Sequence, residues 1–405
     1  MCVPSDSSSA RTPQTSQVAF MHNFMMKSTR EFAGEQDFLT CPVSILLLLT
    51  TLLGSGGVRG KTAVQVAQTL QLKSPVSQSN LNPAIGEAKA LFKELSDDLT
   101  AEGTTFNDRR MDVMTLDNGL FTKQNYELNP DFQWSVKNEF QATIQQLDFN
   151  NQSESARQIN SWVNSATRGL IPRFFRNPSE LARDTRLAMF NVFTFRDSWL
   201  HPFLPGSTKN EEFTVGKDKK IIVPMMSRNE ILPYVDMPDK GFAIIRKPLK
   251  NYRFSFVVAL PTEKGNMEGV EKLLNGQHCL RSTFKEQKDT PVSLKLPKFK
   301  LEKVLDLIPT MESMGLTDLF HRGMADLSGI TKSERLHVSL LKQSTVLKVD
   351  EAGVEAAAAT SAVAVPMSYQ QPETKFHVTH SFACMIYDEQ LHVPLVAARV
   401  MQPAS

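Results

Sequence analysis

Apolar residues in roughly the first 170 positions recur mainly at helical spacing. A period of three to four residues places apolar side chains on one face of a helix, whereas strict alternation places them on one face of a strand. This spacing predicts helices over residues 17–29, 43–53, 62–70, 82–99, 130–140 and 153–167. Strand patterns interrupt the helices at 111–121 and 142–148. The N-terminal part of the chain is therefore predicted to be mostly helical.

Strand patterns dominate after residue 187. Runs rich in β-branched and aromatic residues predict strands over 187–195, 221–223, 242–248, 252–260, 292–299 and 393–401. Helices and strands do not alternate regularly along the chain. Helices first and strands later, without βαβ units, are typical of an α+β fold.

The segment over residues 349–368 has a different pattern from the rest of the chain. After Gly353, which frees the backbone, one alternating set of positions carries only small, uncharged side chains. Its members are Val354, Ala356, Ala358, Thr360, Ala362 and Ala364. Alanine is a good helix former, so a short helix or a linker over 355–360 is the alternative. Val363, Val365 and Pro366 oppose a long helix, and the segment can instead enter a sheet as a buried strand.

Composition limits the class of protein. With 405 residues, 41% of them hydrophobic, the chain can bury a large core, and its length alone allows two or three domains. No Gly/Ser/Pro-rich linker divides its middle, so we predict one domain over 18–405 after a disordered polar leader over 1–17. The formal net charge of +2 predicts no broad surface for nucleic acid or anionic membrane.

Cysteine spacing and the longest apolar run indicate in which cellular compartment the protein is expected. Cys2, Cys41, Cys279 and Cys384 lie far apart without metal-ligand spacing, so reduced thiols are expected. The run 43–53 is too short to span a bilayer, and the N-terminus lacks an apolar signal segment. We therefore expect a cytoplasmic protein by default, with leaderless release to the extracellular space as the alternative. The sequon at Asn151 matters only in the secretory path.

Motifs for catalysis and cofactors are weak. Gly60-Lys61-Thr62 matches half of a phosphate-binding loop, but Ser55 stands where the first glycine is needed. Neither a Gly-x-Ser-x-Gly nor a His-Glu-x-x-His motif is present. The arginines between 168 and 186 are interrupted by acidic residues and are interpreted as a solvated face rather than an RNA or polyanion site. Hydrolase and metalloprotease activities therefore lack support, and we predict no metal and no cofactor.

The stretch Glu-x-Gly-x-Glu-Ala-Ala-Ala-Ala-Thr, which begins at Glu351, resembles the hinge of the serpins, the serine protease inhibitor family. Asn191-Val-Phe-Thr-Phe-Arg-Asp-Ser-Trp199 resembles a second family block. Further blocks follow in family order at 159–164, 256–261, 296–299, 314–320, 326–330 and 376–403. The resemblance covers residues 18–403. It implies helices packed around a large, mostly antiparallel central sheet with smaller sheets, and an exposed reactive-centre loop at about 351–374.

The resemblance also implies a mechanism and a set of site residues. A suicide-substrate inhibitor is cleaved in the loop, here between Met367 and Ser368, and traps the protease when the loop enters the main sheet. Residues expected to contact the protease are Ala364, Val365, Pro366 and Tyr369. The expected hinge and inserting strand comprise Glu351, Gly353, Val354, Glu355, Ala356, Ala357, Ala358, Ala359 and Thr360. The expected sheet-opening region comprises Cys41, Ser44, Asn191, Trp199 and Gln343.

Met367 predicts the target class. An unbranched apolar side chain suits the pockets of chymotrypsin-like and elastase-like serine proteases, whereas a trypsin-like pocket requires arginine or lysine. A non-inhibitory serpin acting as chaperone or carrier is the alternative. Charges of both signs over 89–98 argue against heparin as a partner, and we expect a monomer.

The chain also departs from the family pattern. Val354, Ala352, Gln343, Cys41, Asp197, Ser381 and Ala398 stand where the family usually has other residues, and glycine is usual at the place of Asp197.

Overall fold

The structure is a computed structural model that describes residues 15–34, 36–100, 104–106, 109–111, 114–216, 219–264, 266–354 and 372–403. Its α-helices are α1 (Thr15–Glu31), α2 (Pro42–Gly54), α3 (Gly60–Thr69), α4 (Asn82–Thr100), α5 (Pro130–Asn138), α6 (Gln152–Ala166), α7 (Glu268–Leu274), α8 (Leu280–Lys285) and α9 (Ile308–Ser313). Helix α1 takes in the last residues that we assigned to the polar leader.

The strands in the first half of the chain are β1 (Phe38–Thr40), β2 (Thr104–Phe106), β3 (Arg109–Met111), β4 (Met114–Lys123), β5 (Thr143–Leu147), β6 (Leu187–Phe195), β7 (Asp197–Ser198) and β8 (Lys209–Val215). The later strands are β9 (Lys219–Met237), β10 (Phe242–Pro248), β11 (Phe254–Pro261), β12 (Lys288–Pro297), β13 (Phe299–Asp306), β14 (Val338–Val349), β15 (Gly353–Val354), β16 (Thr374–His377), β17 (Phe382–Asp388) and β18 (Val393–Val400).

Two large sheets organise these strands. One has the order β1-β18-β17-β11-β10-β9-β12-β16, with β8 paired to β9. The other, here called the main sheet, has the order β5-β4-β6-β14-β15-β7, with β13 paired to β14. Most neighbours in both sheets are antiparallel, but β6 and β14 in the middle of the main sheet are parallel. The α+β prediction is confirmed.

Helix α2 lies behind the main sheet and is buried along its whole length. It begins at Pro42, whose missing N–H costs nothing at the first position of a helix. Inside the helix, the hydroxyls of Thr50 and Thr51 donate to the carbonyl of Leu47 at 2.9 and 2.8 Å. These bonds satisfy the hydroxyls without solvent, so the polar residues within the apolar run are compatible with burial.

A second, smaller core covers the front of the main sheet. Apolar side chains from the segment that follows α6 pack against β6 and β14. They are Ile171, Phe174, Phe175 and Leu181 of that segment, with Phe190 and Val192 of β6 and Val346 of β14. The nearby Arg173, Arg176 and Arg183 are exposed, consistent with the interpretation of this stretch as a solvated face.

The prediction of reduced thiols is partly wrong. Cys41 and Cys384 are free and buried, but Cys279 is disulfide-bonded. Distance along the chain does not limit a disulfide, which requires only that two Cα atoms meet in the fold. Cys2 lies outside the described residues. Among the helices in the part of the chain that the structure describes, none has the length and apolar composition needed to cross a bilayer.

Candidate functional site

The parallel pair β6–β14, here called the seam, is the central feature of the site. Its register runs from Val338 opposite Leu187 to Val346 opposite Thr194. At the far end of the seam, β15 lies between the two sides, because Val354 is opposite Val349 of β14 and also opposite Asp197 of β7. Both pairings of β15 are antiparallel. A strand that continued from β15 along the seam would separate β6 from β14 and run antiparallel to both.

A tight turn over 350–353 reverses the chain between β14 and β15. The Oδ1 atom of Asp350 accepts hydrogen bonds from the backbone N–H groups of Ala352 at 3.0 Å and Gly353 at 3.3 Å. The Asp350 N–H in turn donates to the Gly353 carbonyl at 3.0 Å. An aspartate that accepts from N–H groups just ahead of it is a common means of fixing a turn. The turn directs the chain back toward the seam.

The segment that follows β7 holds this turn by its backbone. The indole Nε1 of Trp199 donates to the Asp350 carbonyl at 2.8 Å, and the Trp199 N–H donates to the Ala352 carbonyl at 3.0 Å. The Phe203 N–H donates to the Glu351 carbonyl at 2.9 Å. Trp199 is only 1% exposed. The structure therefore places Trp199 at the hinge rather than with the other residues of the expected sheet-opening region.

Glu351 adds side-chain bonds to the same turn. Its carboxylate accepts from Lys298 Nζ and from Thr208 Oγ1, each at 2.9 Å. Partial burial acts to raise the pKa of Glu351, but the bonds from Lys298 and Thr208 outweigh it, so the pKa lies below its ordinary value. Glu351 is therefore ionised at neutral pH, and it connects the hinge to the residues that flank β8 and β13.

A buried ion pair supports Trp199 from below. Lys247 of β10 contacts Glu230 of β9, and both side chains are almost fully buried. Lys247 Nζ also donates to the His201 carbonyl at 3.0 Å and lies 5.4 and 5.0 Å from the ring centroids of Trp199 and Phe203. Burial lowers the pKa of Lys247 to about 8 despite the opposing effect of Glu230. The aromatic residues that hold the hinge therefore pack against a buried ion pair.

A neutral polar cluster joins the two sides of the seam at its middle. Gln343 of β14 lies opposite Asn191 of β6, and Gln343 Nε2 donates to Asn191 Oδ1 at 3.2 Å. Gln343 Nε2 also donates to the Cys41 carbonyl and to Ser44 Oγ, each at 2.8 Å. Ser44 Oγ donates to Asn191 Oδ1 at 2.5 Å. The structure thus brings together Cys41, Ser44, Asn191 and Gln343, the other four residues of the expected sheet-opening region.

Two further residues of this cluster were not predicted. Thr40 Oγ1 donates to Gln343 Oε1 at 2.6 Å, and Asn191 Nδ2 donates to Asn118 Oδ1 at 2.8 Å. Asn118 interrupts an otherwise strand-like stretch with a buried amide, which is the signal that could have identified it. Burial raises the pKa of the Cys41 thiol to about 12, so the cluster carries no charge at neutral pH.

The cleaved part of the expected loop cannot be placed. The described residues do not include the rest of the inserting strand, the residues expected to contact the protease or the expected cleaved bond. These are Glu355, Ala356, Ala357, Ala358, Ala359, Thr360, Ala364, Val365, Pro366, Met367, Ser368 and Tyr369. Of the predicted hinge, Glu351, Gly353 and Val354 are described, and they form the turn and the first paired positions of β15.

The site is thus a parallel seam whose end is occupied by β15, which pairs with both sides. A family model described as serpin (serine protease inhibitor) matches residues 17–403, and the chain belongs to that family. The family is described as protease inhibitors, not enzymes, in agreement with the predicted class.

Individual relatives agree with this assignment. Leukocyte elastase inhibitor of Xenopus laevis is 30% identical over 89% of this chain and 92% of its own length. Human serpin B4 is 28% identical over 94% of this chain and 97% of its own length. The solved structure of a serpin from the trematode Schistosoma haematobium is 41% identical, covers 96% of this chain and 100% of its own, and has a TM-score of 0.87.

Proposed function

We propose that this protein is a suicide-substrate inhibitor of chymotrypsin-like and elastase-like serine proteases and that the protease attacks the bond between Met367 and Ser368. The observation that carries the proposal is the position of β15 at the entrance of the seam. A relative of similar length bears the name leukocyte elastase inhibitor, which supports the choice of target class.

The chemical step belongs to the protease. Its serine oxygen adds to the carbonyl carbon of Met367, the bond to the Ser368 nitrogen breaks, and that nitrogen takes the proton. The products are an ester between the protease and Met367 and a new amino terminus at Ser368. Cleavage releases the constraint on the loop, which then inserts while it still carries the enzyme.

Insertion exchanges one parallel pairing for two antiparallel pairings. The seam bonds between β6 and β14 must break, including the contact between Gln343 and Asn191. A strand between them gains a hydrogen-bond ladder on each side, and antiparallel pairs are slightly more stable per residue than parallel pairs. Insertion is therefore expected to be downhill once the loop end is free.

The inserting set of side chains suits this route. Val354 is the first member and is fully buried between β14 and β7. The following members Ala356, Ala358 and Thr360 are no larger than valine and carry no charge, so their burial needs no ion-pair partner. This argues for inhibition over the carrier alternative, which is expected to have bulky or charged residues in the set.

We further propose that the inhibitor acts as a monomer and without heparin. The disulfide at Cys279 favours release into an oxidising compartment over the cytoplasmic default, because disulfides are rare in the cytosol.

The test is to mix the protein with neutrophil elastase or chymotrypsin and to separate the products on a denaturing gel. We expect a band near the sum of the two masses, with the new amino terminus at Ser368. Met367→Arg should move complex formation toward trypsin. Clean cleavage without a stable complex would support the carrier alternative, and unchanged specificity of the arginine variant would show that the cleaved bond lies elsewhere.

A further inference from the structure

Asp197 is a buried carboxylate at the entrance of the seam. It is 7% exposed and is the cross-strand neighbour of Val354. Side chains directly opposite each other in an antiparallel pair lie on the same face of the sheet. Docking of the hinge against β7 therefore places an apolar residue beside this carboxylate.

The bonds of the carboxylate tie β7 to a neighbouring turn. Asp197 Oδ1 accepts from the Ser198 N–H at 2.8 Å, and Oδ2 accepts from the Asn251 N–H at 3.1 Å. The Lys250 N–H donates to the Ser198 carbonyl at 2.8 Å. Burial raises the pKa of Asp197 to about 6, although the two backbone bonds and the charge of Lys250 act to lower it.

We propose that Asp197 is a positioning residue that makes docking of the hinge on the main sheet depend on pH. The inference rests on the proposed inhibitory function, since hinge docking is its first step. Ionisation of Asp197 favours an arrangement in which Val354 leaves β7 and water reaches the carboxylate. Protonation removes the penalty of the buried charge and favours the docked hinge.

The direction follows from the pKa of the carboxyl group. Its value in the docked state, about 6, lies above the ordinary value of 3.8. The contribution to docking is therefore fully present below about pH 4 and is lost as the pH rises through about 6. Each unit of difference in pKa corresponds to a tenfold change in equilibrium, so the full effect is on the order of 100-fold if the undocked carboxylate is solvated.

Other charged groups lie on the elements next to Asp197. Glu351 bonds Lys298 and has a pKa below its ordinary value, so it titrates at a lower pH than Asp197 does. Further charged groups on these elements are Arg196, Lys250, Asp350 with Lys348, Arg253 with Asp388, and Glu230 with both Lys247 and Arg228. His201 is the histidine of the adjoining segment and requires a control.

The experiment measures amide hydrogen exchange of the turn and hinge over 350–354 from pH 4.5 to 8, corrected for the intrinsic rate. In the wild type, protection should fall 10- to 100-fold as the pH rises through about 6. Asp197→Asn, which keeps the size and one acceptor oxygen, should give a flat profile. Asp197→Gly should also give a flat profile, and it replaces the asparagine variant if that variant folds poorly. His201→Gln should retain the wild-type profile.

A wild-type profile that is flat, or that persists in both Asp197 variants, overturns the inference. Loss of the profile in His201→Gln also overturns it. The measurement uses no protease, so its outcome is separate from that of the gel assay. A protein that forms the stable complex but lacks the pH profile refutes only the role of Asp197, whereas failure to form any complex refutes the proposed function.

Discussion

The end of the seam at β15, here called the upper end, and the middle of the seam at Gln343 are held together in different ways. At the upper end, charged side chains and backbone carbonyls hold the turn over 350–353, as in the bonds of Glu351 to Lys298 and Thr208. In the middle, the neutral amides of Gln343 and Asn191 meet in a fully buried cluster. The upper end contains partly exposed groups that water can solvate when they separate, whereas the middle does not.

The difference indicates the order in which the seam opens. Breaking a partly exposed ion pair costs little, about 0–1 kcal/mol, because water replaces the partner. Leaving a buried amide or hydroxyl without a partner costs about 1–3 kcal/mol for each group. Opening should therefore start at β15 and pause at Gln343, so that the hinge controls entry and the middle cluster controls completion.

Placing a charge at the hinge should have the largest effect. Val354→Glu puts a carboxylate beside Asp197 in a fully buried position, and an unpaired buried charge costs about 3–5 kcal/mol. We expect loss of the protease complex, with cleavage of the loop as an ordinary substrate. The readout is the molar ratio of inhibitor consumed to protease inactivated. Val354→Thr, of similar shape, buries a hydroxyl but no charge, so as the control it should keep the protease complex and lose at most about 1–3 kcal/mol of stability. Equal inhibition by the glutamate variant would show that insertion does not require an uncharged residue at this position.

Removing the central amide should have the next largest effect. Gln343→Leu leaves Thr40 Oγ1, the Cys41 N–H and Ser44 Oγ without their present partner. We expect the free energy of unfolding of the uncleaved protein to fall by about 2–4 kcal/mol, as measured by urea denaturation. The same change at the exposed Gln68 of α3 should stay within about 0.5 kcal/mol. An unchanged midpoint for Gln343→Leu would exclude the cluster as a lock on the seam.

The smallest effect should have the opposite sign. The hydroxyl of Thr345, two residues beyond Gln343 on β14, is buried and has no hydrogen-bond partner among the described residues. Thr345→Val keeps the shape and removes the hydroxyl, so it should stabilise the uncleaved protein by about 1 kcal/mol and slow loop insertion. Thr40→Val, which deletes a hydroxyl that does donate to Gln343, should destabilise it. If both variants shift the urea midpoint in the same direction, the presence or absence of a hydrogen-bond partner for the hydroxyl does not explain the change in stability.

Much of the framework was predictable from local pattern. The strands predicted over 187–195 and 242–248 coincide with β6 and β10, because both segments are rich in aromatic and β-branched residues. Only a fragment of β9 was predicted. The observed strand runs from 219 to 237 and contains Pro224 and Pro233, which argue against a strand in local reasoning. Strand β17, FACMIYD, is buried at every position and shows no alternation that would distinguish it from a helix.

The site was harder to predict because it depends on contacts between distant segments. The resemblance grouped Trp199 with Gln343, yet the two lie at different places along the seam. Thr40 and Asn118 joined the cluster through pairings that span the chain. The disulfide at Cys279 had no signal in cysteine spacing. Asp197 was interpreted as a departure from the family pattern, but its burial and its pairing with Val354 involve segments far apart in the sequence.

The most direct test of stored free energy in the seam is the melting temperature before and after a single cut in the loop by a protease that the protein does not trap. Insertion adds about a dozen ladder hydrogen bonds of ~0.5–1.5 kcal/mol each. For a chain of this size the melting temperature should therefore rise by roughly 10 °C or more. A cut protein that melts at the temperature of the intact one would contradict the account, because the seam would then have no further strand to accept.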